Sequence, residues 1–155
     1  MRFEKLTTKF QQTFAEAQSI ANAHDNAAIE PAHLLLAFLR DEHGDSKAIL
    51  SSAGTQTDQL EQSLVSTINN FAKVDINNGE IGVSRELNSL LNITEKNALK
   101  QGDSFISPEM FLLALVDDKG NSGKWLRDAG GQKENLQKAM ASVRKNAKVD
   151  SQNAD

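Results

Sequence analysis

Two halves of this 155-residue chain carry the same pattern of residues, which leaves few folds open to it. The only two prolines, Pro31 and Pro108, lie 77 positions apart, and the same shift places the apolar run Leu34–Leu39 on Phe111–Val116. Apolar positions upstream coincide under this shift, and those downstream coincide under a shift of 76. Because the same order of features occurs twice, we interpret the chain as two copies of one unit that bury their apolar faces against each other.

Each half has the spacing of four helices. The first helix is marked by an apolar stripe at i, i+4, i+7 and i+11, which in the first half consists of Phe10, Phe14, Ala17 and Ala21. Proline then begins the second helix, because its fixed φ and missing N–H suit the first helical position. Gly54 and Gly130 end a short third helix. Apolar residues at helical spacing mark a fourth over Asp58–Asn70 and Lys133–Lys145. No stretch shows sustained strand alternation, so the sequence predicts an all-α fold.

The segments between and after the halves predict the domain boundaries. Repeat one is assigned to about residues 1–72 and repeat two to about residues 84–145. Residues 73–83 contain Asn77-Asn78-Gly79 and Gly82, which predicts a flexible loop between the repeats. The tail over about residues 146–155 is polar and has no periodicity, so we expect it to be a linker.

Composition excludes several classes of function. The chain has no cysteine, which rules out disulfides, cysteine-based zinc sites and a cysteine nucleophile. The three histidines are 9 and 10 residues apart, which matches no metal motif, and Gly120–Trp125 lacks the spacing of a phosphate-binding loop. The net charge of −4 disfavours nucleic acid and anionic membranes as partners. With no long apolar run and no signal peptide, we expect a soluble, intracellular protein.

The apolar surface of the second half remains as a candidate binding site. Leu87 and Leu91 belong to a helix that is apolar around much of its circumference, and Met110 and Leu113 lie off the core stripe of the next helix. These residues either fill the seam between the repeats or line an open groove for unstructured apolar peptides. The acids Asp103 and Glu109 either hold basic or backbone N–H groups of a bound peptide or stabilise the helix N-terminus, where negative charge is favourable.

Three stretches of the sequence resemble a known family. They read Phe3-x-x-Leu6-Thr7-x-Lys9-Phe10, then Ile29-Glu30-Pro31-x-His33-Leu34-Leu35, and Gly102-Asp103-x-Phe105-Ile106-Ser107-x-Glu109. This order resembles the double Clp repeat, in particular the N-terminal domain of the ClpB disaggregase family. The resemblance covers about residues 1–145. It implies an all-α domain of about eight helices, arranged as two four-helix repeats with pseudo-twofold symmetry.

In that family the domain is a non-catalytic module of a cytoplasmic AAA+ chaperone ring, which threads aggregated proteins through its pore together with the DnaK system. The resemblance therefore implies a domain that recruits unfolded or aggregated clients, is a monomer in isolation and belongs to a hexamer in the intact protein. No cofactor is expected here, since ATP and Mg²⁺ belong to ATPase modules that the chain lacks. The resemblance implies client contacts at Thr7, Asp103 and Glu109 and a groove lined by Leu91 and Met110. The apolar surface adds Leu87 and Leu113.

Two other interpretations stay open at this point. The first is the N-terminal domain of a Clp unfoldase that works with a peptidase, which would bind a folded adaptor through a polar, well-defined surface. The second is a small hydrolase that uses acidic residues. Repeat-equivalent positions account for nearly every acid, which disfavours the hydrolase.

Overall fold

In the computed structural model the chain is described over residues 2–75, 80–145 and 148–153. The described residues form a 3₁₀ turn, Phe3–Lys5, and eight α-helices. The helices are α1 (Thr8–Ala23), α2 (Pro31–Arg40), α3 (Ser46–Ser52), α4 (Thr57–Asn69), α5 (Arg85–Lys100), α6 (Pro108–Val116), α7 (Asn121–Asp128) and α8 (Lys133–Arg144). Pairing in these segments is limited to isolated β-bridges. The all-α prediction is confirmed, and none of the described helices is long and apolar enough to cross a bilayer.

The helix boundaries repeat as the sequence does. Helices α5 and α6 begin 77 residues after α1 and α2, and α7 and α8 begin 75 and 76 residues after α3 and α4. Thr7 and Ser84, 77 residues apart, cap α1 and α5 by accepting the N–H groups of Phe10 and Leu87. Pro31 and Pro108 begin α2 and α6, as the sequence predicts. The two tandem four-helix repeats are therefore confirmed.

The packing of the helices follows a pseudo-twofold. Helix α1 packs on α2 as α5 packs on α6, and α3 contacts α8 as α4 contacts α7. Helices α2 and α6 are buried along almost their whole length at the centre. There Phe10, Phe38 and Phe111 meet edge to face, with ring centroids 5.3 to 6.3 Å apart. The three rings come from both repeats, so the core is shared.

Short parallel bridges also cross between the halves. Leu6, ahead of α1, pairs with Ile106, and Val83, ahead of α5, pairs with Ile29. The 77-residue shift places Leu6 on Val83 and Ile29 on Ile106, so the two bridges are equivalent. Each repeat thus has its first segment bound to the other repeat, which joins the halves beyond their apolar contact.

The loop between the repeats and the tail differ from the predicted flexible segments. Lys73 forms a bridge with Asn26 and Val83 forms a bridge with Ile29, whereas Asn77-Asn78-Gly79 lie outside the described residues. In the predicted linker, residues 148–153 lie against the domain, because Val149 is buried and bonded to the turn before α6. The domain limit at residue 145 stays a prediction, and the docked segment is an addition to it.

Candidate binding site

The three polar residues that the resemblance implied lie in one region of the structure. The bridge between Leu6 and Ile106 brings the start of α1 against the turn before α6, and Thr7 N–H donates to the Ile106 carbonyl at 3.0 Å. Asp103 lies in that turn and Glu109 lies in the first turn of α6. Thr7 is buried and caps α1 through its hydroxyl, so its visible role is to hold the start of that helix in place.

Arg144, at the end of α8, connects the two acids. Its Nη1 lies 2.9 Å from Asp103 Oδ2, and its Nε donates to Glu109 Oε1 at 2.9 Å. Its Nη2 donates to the Ser107 hydroxyl at 2.7 Å. The Arg144 side chain is only 8% exposed and that of Asp103 is fully buried, so the guanidinium compensates carboxylates that would otherwise be costly to bury.

Sequence reasoning missed Arg144. The residue was predicted only as part of the last helix, although the 76-residue shift places it on Ile68, a core position of repeat one. A charged residue at the equivalent of a core position was the available signal. It indicates an internal partner, because a buried arginine requires one.

The four apolar candidates are core residues. Leu87 is 0% exposed, Met110 1%, Leu91 3% and Leu113 9%. The structure therefore buries all four side chains, so they do not line the open groove that was one of the two alternatives. Leu113 lines a surface cleft, which it shares with Met140 and Arg144. A direct role of these four side chains in client binding stays a prediction.

The equivalent of Met110 in repeat one is His33, which is also fully buried. His33 Nδ1 accepts the Glu30 N–H at 2.8 Å, and Nε2 donates to Asn26 Oδ1 at 2.8 Å. Burial, aided by the nearby His24, lowers the pKa of His33 from 6.5 to about 4. The imidazole is therefore neutral at pH 7 and serves as the capping partner of α2. At this buried position, repeat one has a hydrogen-bonded histidine and repeat two has an apolar methionine.

A polar cleft opens beside the Asp103 cluster. It has a volume of about 290 Å³ and lies between the start of α1, the loop over residues 41–46 and the start of α6. Glu109, Thr8 and the Lys9–Asp41 ion pair, whose Nζ–Oδ2 distance is 3.2 Å, line it. Within the described ranges, no group of three or more acidic or histidine side chains is placed to hold a metal ion. The cleft therefore presents hydrogen-bonding groups and charges at the surface.

The exposed large apolar side chains of the described helices belong to the second repeat, although Phe3, ahead of α1 in repeat one, is 49% exposed. Ile93 is 48% exposed, Leu99 62% and Val143 49%. At the equivalent positions repeat one has polar residues, namely Glu16, Asn22 and Thr67. The sequence signal was present, because Ile93 and Leu99 lie outside the core stripe of α5. The asymmetry therefore lies in exposed side chains of α5 and α8, and not in the open groove that was one of the two alternatives.

Together, the helical double repeat and the shared core define a class: an all-α domain built from two fused half-domains. The sequence profile described as the Clp repeat (R) N-terminal domain matches residues 5–129. The chain belongs to this family, and the resemblance seen in the sequence is confirmed. The chain is therefore a Clp N-terminal domain.

Curated relatives and solved structures agree with this assignment. The chaperone protein ClpB of Pseudomonas putida is 37% identical and that of Vibrio cholerae 34% identical, each over all 155 residues of this chain. The chain spans 18% of the length of each relative. The Hsp104 N-terminal domain from Candida albicans superposes with a TM-score of 0.82 at 21% identity, covering 97% of this chain and 98% of that one. A ClpV N-domain in complex with a VipB peptide superposes with a TM-score of 0.74 at 18% identity, covering 95% and 91%.

Proposed function

We propose that this domain recruits exposed apolar segments of unfolded or aggregated proteins to an ATP-dependent disaggregase ring and delivers them to the ring pore. The observation that carries the proposal is the asymmetry of the surface: repeat two exposes Ile93, Leu99 and Val143 where repeat one has polar residues. The ClpB relatives are chaperones, and the ClpV N-domain binds a peptide, which supports a protein client.

The chemistry favours weak and tolerant binding. Ile93 and Leu99 lie six residues apart on α5, about a third of a turn around the helix axis, so they present separate contacts instead of one deep pocket. Separate aliphatic contacts accept many sequences, because apolar attraction is not directional. A tether to the ring would then keep a captured segment at high local concentration near the pore. The hexameric ring, its ATP and Mg²⁺, cooperation with DnaK and a cytoplasmic location all belong to this proposal.

Replacing the exposed apolar residues of repeat two by those of repeat one tests the proposal. The triple variant Ile93→Glu, Leu99→Asn, Val143→Thr should bind a labelled, chemically unfolded protein at least about tenfold more weakly, because each aliphatic contact contributes roughly 1 kcal/mol. Fluorescence anisotropy measures the affinity, and circular dichroism should show an unchanged helical fold.

An exposed valine of the segment between the repeats provides the control. Val74 is 36% exposed, and Val74→Ser should leave client affinity unchanged. A triple variant that binds the unfolded protein as tightly as the original chain would contradict the proposal. Equal affinity of the original chain for the same protein in its native state would also contradict it.

A second candidate is docking of a folded adaptor, and the polar cleft beside Glu109 favours it. Docking of this kind depends on charge complementarity more than on apolar contacts. Lys9→Ala would remove the cation of the Lys9–Asp41 pair on the cleft wall and should then weaken binding, whereas the triple variant would not. The two sets of variants therefore distinguish client capture from adaptor docking.

A further inference from the structure

The tail segment over residues 148–153 is bound to the domain like a short peptide ligand. The Val149 carbonyl accepts the N–H groups of Ser104 and Phe105 at 2.7 and 3.1 Å. The Val149 N–H donates to Asp103 Oδ1 at 3.0 Å, and the residue is 6% exposed. Further along, the Gln152 carbonyl accepts the Thr8 N–H at 2.8 Å, and the Thr8 hydroxyl donates to Asn153 Oδ1 at 2.8 Å.

These contacts involve the backbone of the tail at least as much as its side chains. Two main-chain donors and one carboxylate meet the peptide groups of Val149, and one buried position receives its small aliphatic side chain. This combination is how protein surfaces recognise extended peptides, with affinity from the backbone and selectivity from a side-chain pocket. Arg144 holds the Asp103 carboxylate in place for that contact. Any extended segment with a small apolar residue offers the same groups.

Repeat one has the equivalent arrangement, but there the bound segment is connected to the helices of the domain at both of its ends. There Val74 N–H donates to the Asp25 carbonyl at 2.8 Å, and Lys73 forms a bridge with Asn26, the equivalent of Asp103. That segment continues into α5, so the fold holds it on both sides. Residues 148–153 follow α8, and none of the eight described helices comes after them. The slot in repeat two is therefore the one that can open while the eight helices stay in place.

We propose that residues 148–153 are an intramolecular strap that occupies a slot for extended client segments, and that a client binds there by displacing the strap. The slot consists of Asp103, the N–H groups of Ser104 and Phe105, and the start of α1 at Thr8. The inference rests on the proposed function, because the slot would be a second contact for the client, one that binds the client's backbone. It also gives Asp103 the role of accepting a client N–H, as it accepts that of Val149.

Releasing the strap tests the slot without any client. Val149→Asp places a carboxylate beside Asp103 in a buried position and should free the segment. The probe is the peptide Lys-Val-Asp-Ser-Gln-Asn, the sequence of residues 148–153, added in trans. It should shift the amide resonances of Ser104, Phe105 and Thr8 in the Val149→Asp variant and leave the original chain unchanged. The control Val74→Asp adds the same charge to the equivalent segment of repeat one and should behave as the original chain.

Locking the strap tests the competition with clients. The chain has no cysteine, so Thr8→Cys with Asn153→Cys introduces one crosslinkable pair at two side chains that are in contact. If the strap is docked for about nine-tenths of the time, releasing it should raise the affinity for a labelled, unfolded protein about tenfold. Oxidation of the cysteine pair should lower that affinity relative to the reduced form of the same variant, which is its own control.

The outcomes separate this inference from the proposed function. If the peptide fails to bind the Val149→Asp variant, there is no slot and the inference is overturned. If the unfolded protein binds but release and locking leave its affinity unchanged, client recruitment stands and the strap inference fails. If the peptide binds in trans and no variant binds the unfolded protein, the proposed function fails and the slot has no client.

Discussion

At the scale of single residues, His33 links the stability of the domain to pH. The folded pKa of about 4 lies below the ordinary value of 6.5, so the unfolded chain takes up the proton first. The stability that neutral His33 contributes is complete above about pH 6.5 and is lost as the pH falls toward 4. The cause is specific, because a proton on Nδ1 would face the Glu30 N–H that now donates to it.

We expect the free energy of unfolding to fall by about 1.4 kcal/mol per pH unit over that range from this residue alone, or about 3 kcal/mol in total. Denaturant unfolding at pH 7.0 and 4.5 measures the change. His33→Gln should have a shallower pH dependence than the original chain, whereas His43→Gln, at an exposed histidine, should have the same one. Equal slopes for all three proteins would show that His33 does not control the acid sensitivity.

Asp103, Glu109 and Met110 show which features of the candidate site could be predicted from the sequence and which could not. Glu109 lies in the first turn of α6 and Asp103 in the turn before it, positions that follow from the local sequence because a helix start depends on nearby residues only. Their partner Arg144 lies 35 and 41 residues further along the chain, and only the tertiary fold brings it there. Met110 was predicted to lie off the core stripe of α6, whereas it is 1% exposed, because its burial depends on packing that periodicity does not describe.

At the scale of helices, the approach of α7 to the end of α6 depends on Gly123. A Cβ atom at this position would overlap the carbonyl oxygen of Asp118 and lie 2.7 Å from that of Leu115. Glycine to alanine within a helix normally stabilises by up to about 1 kcal/mol through propensity and chain entropy. Here the backbone carbonyls cannot move aside as a flexible side chain would, so the overlap outweighs that gain.

Gly123→Ala should therefore lower the midpoint of thermal unfolding, with a loss of about 1 to 3 kcal/mol. Differential scanning calorimetry measures the loss. The equivalent residue of α3 is Lys47, which is exposed, and Lys47→Ala should change stability by less than about 0.5 kcal/mol. A stabilised Gly123→Ala variant would mean that propensity outweighs the contact between α6 and α7.

The helices themselves were predictable because each boundary has a local signal that occurs twice. Proline begins α2 and α6, and Gly54 and Gly130, with φ of 89° and 94°, follow the ends of α3 and α7. The bridges before α1 and α5 were not predictable, since they consist of single residue pairs with no alternating pattern. The docked tail was missed for a related reason: its polar composition is typical of a linker, and one buried valine gives too weak a signal.

At the scale of the whole molecule, two observations make the repeats interdependent. The ring cluster of Phe10, Phe38 and Phe111 draws on both halves, and each half binds the first segment of the other through the bridges at Ile106 and Ile29. An open array of repeats has contacts between neighbours only and can lose one unit at a time. Here the opening of either repeat exposes the core of the other, so the domain should unfold as one unit.

Phe111→Ala in repeat two should therefore destabilise both repeats equally. The fully buried ring contacts Phe10 and Phe38 of repeat one, and its removal should cost about 3 to 5 kcal/mol. Amide resonances of α1 and α5, followed by NMR through a urea titration, should disappear at one common midpoint that is lower than in the original chain. Phe3→Ala, at a ring that is 49% exposed, should leave that midpoint nearly unchanged. If α5 unfolded at a lower urea concentration than α1 in the Phe111 variant, the repeats would be independent units that merely touch, and the shared core would not be the reason that two copies form one domain.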